Sequence, residues 1–336
     1  MEEEVLAQAP TVSPAEALLS ERFGQQLQMR VPLASVTSMG IGGPARYFLP
    51  VHTEAELAMA ISAARMADMP WSVMGDGSNL VGSDAGYEGL LIQNRIHAFA
   101  AIDSSVTVGA GNRLTEVVLQ LCRLGLAGME RMAGIPGTIG GAVYGCAGAY
   151  GQEMKDHVCE VRFYDAVAGR FCHLGVDECE FSYRDSIFKR HRNWIITQVV
   201  LDLQPGEPQA LLKTAQDLVQ QRQRKFPLDL KCPGCYFKNI RLDHIEPQTR
   251  RQAFVSQVEP AQVMYGKVAA GYLLEVVGAK GTQVGRIQVS PSHGNLILNT
   301  SGGTAADLLT LVAQLKERVR QRFGVELQEE VQYLGF

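Results

Sequence analysis

The sequence predicts mixed α and β layers, an α/β or α+β architecture spread over more than one domain. Three observations lead there. The chain has 336 residues, more than one hydrophobic core commonly fills. Over its first hundred-odd residues, apolar strand-like runs alternate with helical stretches. Glycine, at 34 residues, exceeds the usual ~7% and gathers in clusters.

In chain order, residues 1–24 are weakly patterned and read as a mobile or loosely helical extension. "TSMGIGGPARYFLP" (Thr37–Pro50) is a glycine-rich turn leading into an apolar run. Thr53 with Glu56 is a capping-box pair, and Leu57, Ile61 and Ala64 share the helical face behind it. "WSVM" (Trp71–Met74) reads as a buried strand that breaks into "GDGSNL" (Gly75–Leu80). "GLLIQN" and "SVTVGAG" are further strands, followed by a helix around Leu114–Leu124. "MAGIPGTIGGAVYGCAGAYG" (Met132–Gly151) is too dense in glycine for a helix or strand interior but too apolar for disorder. It reads as a buried loop whose backbone another molecule touches. "CEVRFYDAVAGRFCHL" is a hairpin and "WIITQVVLDL" (Trp194–Leu203) a buried strand.

"LQPGEP" (Leu203–Pro208) reads as a linker, followed by a helix over about Ala210–Gln223. The segment "KCPGCYFKN" (Lys231–Asn239) is a turn entering a strand. Thr304 caps an amphipathic helix with Asp307 three residues on, an apolar stripe of Leu308, Val312, Leu315 and Val319, and Gly324 as the stop. In the last segment Val325, Leu327, Val331 and Tyr333 alternate onto one strand face, with Glu330 on the other.

Composition narrows the function. Net charge is −4 and the pI about 6.0, so no basic surface for nucleic acid is indicated. The start Met1-Glu-Glu-Glu is not a secretory signal, and no apolar run reaches the ~18 residues that span a membrane. A soluble cytoplasmic protein without membrane attachment is expected. The seven cysteines then read as reduced thiols.

Two constellations suggest chemistry. A strand ending in Gly-x-Gly-Ser-Asn offers unencumbered backbone N–H groups beside a hydroxyl and an amide, which suits phosphate. Paired with "GIPGTIGGAV", it suggests a long ligand with a pyrophosphate held from two sides. The spacing fits neither the Rossmann nor the Walker pattern. The Cys232/Cys235 pair lacks the further ligands of a zinc site, so no metal is expected; a redox couple, or one useful thiol in a loop, remains open.

Taken together, "GIGGPARYF", "GDGSNL", "GMERMAGIPGTIGGAV", "AGAYG", "FSYRDSIFK", Arg222-x-x-Lys225 before "GCYFKN", "HGNLILN" and "LQEEVQYLG" occur in an order that resembles the UDP-N-acetylenolpyruvoylglucosamine reductase family. The resemblance runs from about Thr37 to Gly335. It implies an α+β fold: an FAD-binding part of the vanillyl-alcohol-oxidase type built of two α+β subdomains, 25–95 and 96–206, then an α/β substrate domain at 207–324. A final strand, 325–336, returns to the active site. It also implies noncovalent FAD, NADPH as hydride source, UDP-N-acetylglucosamine enolpyruvate as the small-molecule substrate, and a monomer. The segment between "YRDS" and "RQRK" is short, as in the subclass without a substrate-covering insertion.

Carried over by motif, Gly75, Gly77, Ser78 and Asn79, then Gly134, Ile135, Pro136, Gly137, Thr138, Gly140 and Gly141, with Ala147 and Gly148, would meet FAD. Arg184 would stabilise charge developing on the substrate carboxylate, and Glu330 would polarise the same group. The proton donor is a serine in most members; here the position is Cys235, a stronger acid at an ordinary pKa of ~8.5 but open to oxidation. A Cys232–Cys235 disulfide is then a possible reversible off-state. Arg222 and Lys225 match a diphosphate-binding pair, Asn239 a substrate-contacting amide, and Tyr183 packs near the reacting end. Cys146 stands where the family usually has asparagine, and Ile240 replaces a common proline. The alternatives are another flavin-dependent oxidase or dehydrogenase of the same superfamily and, in a different class, a non-catalytic metal-binding module.

Overall fold

The computed structural model describes residues 14–225 and 230–336. The first sheet has the strand order Gln28–Pro32, Pro44–Val51, Tyr87–Asn94, Trp71–Met74. Its first pair is antiparallel and the other two are parallel. The central strand Tyr87–Asn94 is buried from Gly89 onward, which its unbroken apolar run "GLLI" foreshadows. Helix Glu54–Met66 is the crossover, and its Leu57, Ala60, Ile61 and Ala64 pack on Tyr47, Leu49, Leu90 and Ile92. Thr53 Oγ1 accepts the Glu56 N–H at 3.1 Å, but Glu56 takes the N–H of His52 rather than that of the cap, at 2.6 Å.

The amino-terminal expectation needs partial correction. Residues 1–13 lie outside the described part; Pro14–Phe23 is a helix, as one of the two expectations had it, and it is packed rather than mobile. Leu19 and Phe23 enter the first core, and Glu16 accepts a hydrogen bond from the Tyr47 hydroxyl at 3.1 Å.

The second sheet is antiparallel throughout, in the order Arg170–Gly175, Val158–Asp165, Trp194–Asp202, Ser105–Gly109, Phe99–Ile102. Helix Leu114–Arg123 buries Leu114, Val117, Val118 and Leu121 against it. Helix Pro208–Lys225, grouped with the third unit in the sequence, packs here: Ala215 lies in the second core with Leu211, Leu212 and Val219 against it.

The glycine-rich segment also departs from expectation, because it contains the short helix Ile139–Tyr144. Thr138 caps it, accepting the Gly141 N–H at 3.3 Å. A Cβ on Gly140 would stand 2.9 Å from the Cβ of Ala110. Glycine lets this helix approach the end of strand Ser105–Gly109, and close packing offsets a propensity cost of about 1 kcal/mol per residue.

The third unit joins a small antiparallel sheet, Gln283–Val284, Ile287–Val289 and Ile297–Asn299, to the long helix Ala305–Phe323. Its expected features are present. Thr304 and Asp307 form both arms of a capping box, the four-residue stripe is buried, and Gly324 takes φ 67°. Asp84, from the first unit, accepts the N–H groups of Ala305 at 2.7 Å and Ala306 at 3.0 Å. An acidic side chain there also favours the helix dipole.

Two expected strands prove shorter. Lys231–Asn239 forms only single bridges, Cys235 with Leu296 and Phe237 with Glu329. The carboxyl-terminal strand is Gln332–Leu334 alone, parallel to Leu80–Gly82. Residues 325–331 run from one partner to another: Val325, Leu327 and Val331 sit in the third core before the chain crosses to the first unit. That crossing puts Glu330 where the units meet. Among the described residues, no helix is long and apolar enough to cross a membrane.

Candidate active site

The loop Gly75–Leu80 leaves the carboxyl end of strand Trp71–Met74 and is held from beneath. Asp76 receives Arg95 Nη1 and Arg113 Nε, each at 3.1 Å, and the Gly75 carbonyl receives Gln93 Nε2 at 3.2 Å. Gly77 has φ +63°, and a Cβ there would lie 2.3 Å from the Val36 carbonyl oxygen. The two glycine loops, expected to hold a ligand from two sides, touch one another. A Cβ on Gly75 would be 2.4 Å from Thr138 Oγ1, and one on Gly137 2.5 Å from Ser78 Oγ. Ser78 Oγ itself donates to the Pro136 carbonyl at 3.4 Å.

Among the described residues, no backbone carbonyl takes the N–H of Asp76, Gly77, Ser78, Gly137 or Thr138. A patch of unspent donors in glycine-opened backbone is what a pyrophosphate requires. Other expected contacts are already engaged. The Gly140 N–H goes to Ala110, the Gly141 N–H to Thr138 and the Ala147 N–H to Ala142. Ile135 donates to Met132 and accepts from Thr115. Gly134 has a packing role, since a Cβ there would meet Arg222 Cδ at 2.8 Å. Replacing Gly77 with alanine should displace this loop, and the purified variant should carry far less flavin per protein than wild type, as read from absorbance.

Arg184 occupies a left-handed backbone conformation at φ 57°, uncommon for a side chain with a Cβ. Its guanidinium donates to the Cys146 carbonyl at 3.2 Å and the Gly148 carbonyl at 2.9 Å. Its Nε stands 3.0 Å from Glu330 Oε1 without hydrogen-bond alignment, leaving that nitrogen buried and unsatisfied. Cys146 is buried at φ 41°. That left-handed conformation is one asparagine adopts more readily than cysteine.

Glu330 is fixed through its backbone. Its N–H donates to the Tyr236 carbonyl at 2.8 Å, and its carbonyl accepts Asn79 Nδ2 at 3.0 Å. The Asn79 carbonyl in turn takes the Gln332 N–H at 2.9 Å. Asn79 therefore ties the phosphate-type loop to the carboxylate strand, a role no local pattern announces. Burial pushes the Glu330 carboxyl above its ordinary pKa, against the opposing pull of Arg184, Lys189 and Lys238.

Cys235 is exposed by surface area, yet protein surrounds its thiol closely enough for burial to dominate its titration. Burial first, and the Glu330 charge second, push its thiol up to about 11, although Arg184 and Arg222 pull the other way. The thiol is thus a weaker acid than an ordinary cysteine, a correction to the sequence expectation. Cys232 is buried beside it, also pushed up by burial, and both are free thiols. Suppressing the thiolate slows attack on oxidants and disulfides.

Tyr183 and Asn239 meet directly, the Asn239 N–H donating to the tyrosine hydroxyl at 3.2 Å. The Tyr183 ring lies under Lys267 Nζ at 4.0 Å and Arg184 at 5.4 Å. Asn239 Oδ1 accepts the Ala270 N–H at 3.2 Å, which fixes the side-chain amide in place. Arg222 reaches past Gly134 to lie against the Tyr150 ring at 5.6 Å, and its buried Nε has no hydrogen-bond partner among the described residues. The side chain of Lys225 lies outside the described residues. Sequence reasoning missed Lys189 and Lys267; Lys189 stands within the quoted "FSYRDSIFK".

Comparison with known proteins agrees with this geometry. Residues 44–175 match the FAD binding domain family, and residues 226–334 match the C-terminal domain of UDP-N-acetylenolpyruvoylglucosamine reductase. A UDP-N-acetylenolpyruvoylglucosamine reductase from Solibacter usitatus is 44% identical over 306 residues, covering 90% of this chain and 95% of that one. One from Bacillus velezensis is 32% identical over 328 residues, 95% and 97% of the two chains. The crystal structure of the Thermus caldophilus UDP-N-acetylenolpyruvylglucosamine reductase superposes with a TM-score of 0.68 at 31% identity, over 90% of this chain and 97% of that one.

Proposed function

The chain belongs to the UDP-N-acetylenolpyruvoylglucosamine reductase family, oxidoreductases with an FAD-binding domain, and from that premise we propose that it reduces UDP-N-acetylglucosamine enolpyruvate to UDP-N-acetylmuramate at the expense of NADPH. The observation that carries the proposal is that Arg184, Glu330 and Cys235 come together, with Asn79 tying Glu330 to the loop of unspent N–H donors. The free N–H groups of Asp76, Gly77, Ser78, Gly137 and Thr138 would hold the FAD pyrophosphate. Bound FAD supplies the hydride that adds to the terminal alkene carbon.

Hydride addition breaks the alkene π bond and leaves an electron pair shared between the adjacent carbon and the carboxylate. Arg184, held by two carbonyls, presents a fixed cation to that charge without reorganising. Glu330 acts in its protonated form, donating to the substrate carboxylate; a second carboxylate beside it raises its affinity for that proton further. Cys235 gives its proton to the adjacent carbon, and the thiolate left behind, disfavoured by burial, recovers a proton from solvent. Arg222, whose Nε has no hydrogen-bond partner among the described residues, and Lys225 take the diphosphate.

Two consequences are measurable. Because the thiol stays protonated until pH nears 11, it causes no loss of single-turnover rate below about pH 10. An alkaline limb at lower pH belongs to Glu330, whose acid form is lost as pH rises, and Glu330→Gln should flatten that limb. Asn79→Ala should leave flavin reduction by NADPH near wild type and slow flavin reoxidation by substrate about tenfold, because it releases the backbone of Glu330.

The deciding test is NADPH oxidation by the purified yellow protein. The expected result is consumption that depends on the enolpyruvyl nucleotide and forms the lactyl ether. Oxygen consumption with an alcohol or lactone, and none with the nucleotide, would favour another flavin oxidase.

A further inference from the structure

The reading above leaves a half-buried cation unexplained. Lys189 lies in helix Ile187–Arg190, immediately after the turn that carries Arg184. Its Nζ donates to the Arg184 carbonyl at 2.6 Å. Its ammonium stands 5.7 Å from the centre of the Tyr144 ring. The neighbouring acid, Asp185, pairs with Arg190 at 3.5 Å and acts on Lys189 only through its field. Desolvating an ammonium whose hydrogen-bond partner is a neutral carbonyl is costly even with the Glu330 and Asp185 charges nearby, so its retention asks for a compensating role.

The backbone around Arg184 shows one. Ser182 and Asp185 exchange backbone hydrogen bonds at 3.1 Å each way, closing a tight turn with Arg184 at φ 57° inside it. Ser186 Oγ ties the following residue to the Tyr144 carbonyl at 2.8 Å. The Arg184 carbonyl faces Lys189, and its guanidinium reaches forward to Cys146, Gly148 and Glu330. A side chain with a Cβ is disfavoured in this conformation and persists there only when its surroundings over-determine it.

We propose that Lys189 is a positioning residue for the reaction: its ammonium locks the backbone of Arg184 in the left-handed turn and sets a second fixed positive charge beside Glu330. The inference rests on the catalytic reading of Arg184 and Glu330 given above. The charged and titratable groups facing Glu330 are Arg184, Lys189, Lys238, Cys235 and Tyr183. Of these, Arg184, Lys189 and Lys238 draw its pKa down. Removing the Lys189 charge therefore makes Glu330 hold its proton to higher pH.

The test compares Lys189→Met and Lys189→Arg as flavin-loaded full-length proteins. In Lys189→Met, substrate-driven reoxidation should fall between about tenfold and a hundredfold through misplacement of Arg184. Reduction by NADPH should stay unchanged, and the alkaline limb of reoxidation should move to higher pH. Lys189→Arg should restore the limb and most of the rate. Wild-type kinetics in Lys189→Met would overturn the inference, and so would a slower rate with an unmoved limb, which marks a merely structural lysine. If Lys189→Met fails to retain flavin, Lys189→Gln gives the same reading of the limb. Failure of the wild-type protein to turn over the enolpyruvyl nucleotide would instead reject the functional reading itself.

Discussion

Replacing Cys235 with alanine is expected to leave flavin reduction by NADPH intact and to slow reoxidation by the enolpyruvyl substrate by roughly 10²–10⁴, the usual worth of a positioned proton donor. The split follows from geometry. The thiol lies among the charges of Glu330, Arg184 and Arg222, whereas the glycine loops that would bind FAD lie with the first two units. Cys235→Ser should retain a donor of similar shape and recover much of the rate. Anaerobic rapid mixing separates the half-reactions. Equal losses in both would show that the alanine had disturbed cofactor binding and would remove Cys235 from the proton step.

Replacing Arg184 with methionine should be as damaging to rate and more damaging to stability. A fixed cation aimed at developing charge contributes about 10²–10³ to turnover. The side chain is only 20% exposed, and its loss leaves the Cys146 and Gly148 carbonyls and Glu330 without their cation. Removing one partner of such a pair costs about 3–5 kcal/mol when fully buried, so the lower end is expected here. Denaturant unfolding measures this term, and single-turnover reoxidation measures the first. Arg184→Lys keeps the charge but not the fork that reaches two carbonyls, so it should restore stability only in part. A variant as stable and as fast as wild type would show that Arg184 is only a loop arginine.

Much of this architecture was legible because it is locally encoded. Thr304, Asp307 and Gly324 mark the long helix by capping chemistry that acts within one turn. The hairpin of Val158–Asp165 with Arg170–Gly175 follows from alternation around a turn. The site residues could be collected because "YRDS", "GCYFKN" and "LQEEV" keep a recognisable order, even though they come from distant segments.

What stayed hidden depends on partners far along the chain. Gly140 and Gly141 argue against a helix until Ala110 is known to press against it. Residues 325–331 alternate like a strand, yet they change partners midway. Helix Pro208–Lys225 follows a Pro/Gly linker, but Ala215 packs backward onto the second core. The clamp from Asn79 to Glu330 joins residues 251 positions apart. Nor does a pKa follow from residue type alone: Cys235 is pushed to about 11 by surroundings drawn from several segments.

The most direct measurement is a crystal structure of the FAD-loaded protein with the enolpyruvyl nucleotide bound. It should place the Cys235 sulfur about 3–3.5 Å from the ether-bearing alkene carbon, on the face opposite the flavin, with the carboxylate between Arg184 and Glu330. A nucleotide whose alkene lies out of reach of that sulfur, or whose carboxylate meets neither residue, would contradict the proposed chemistry.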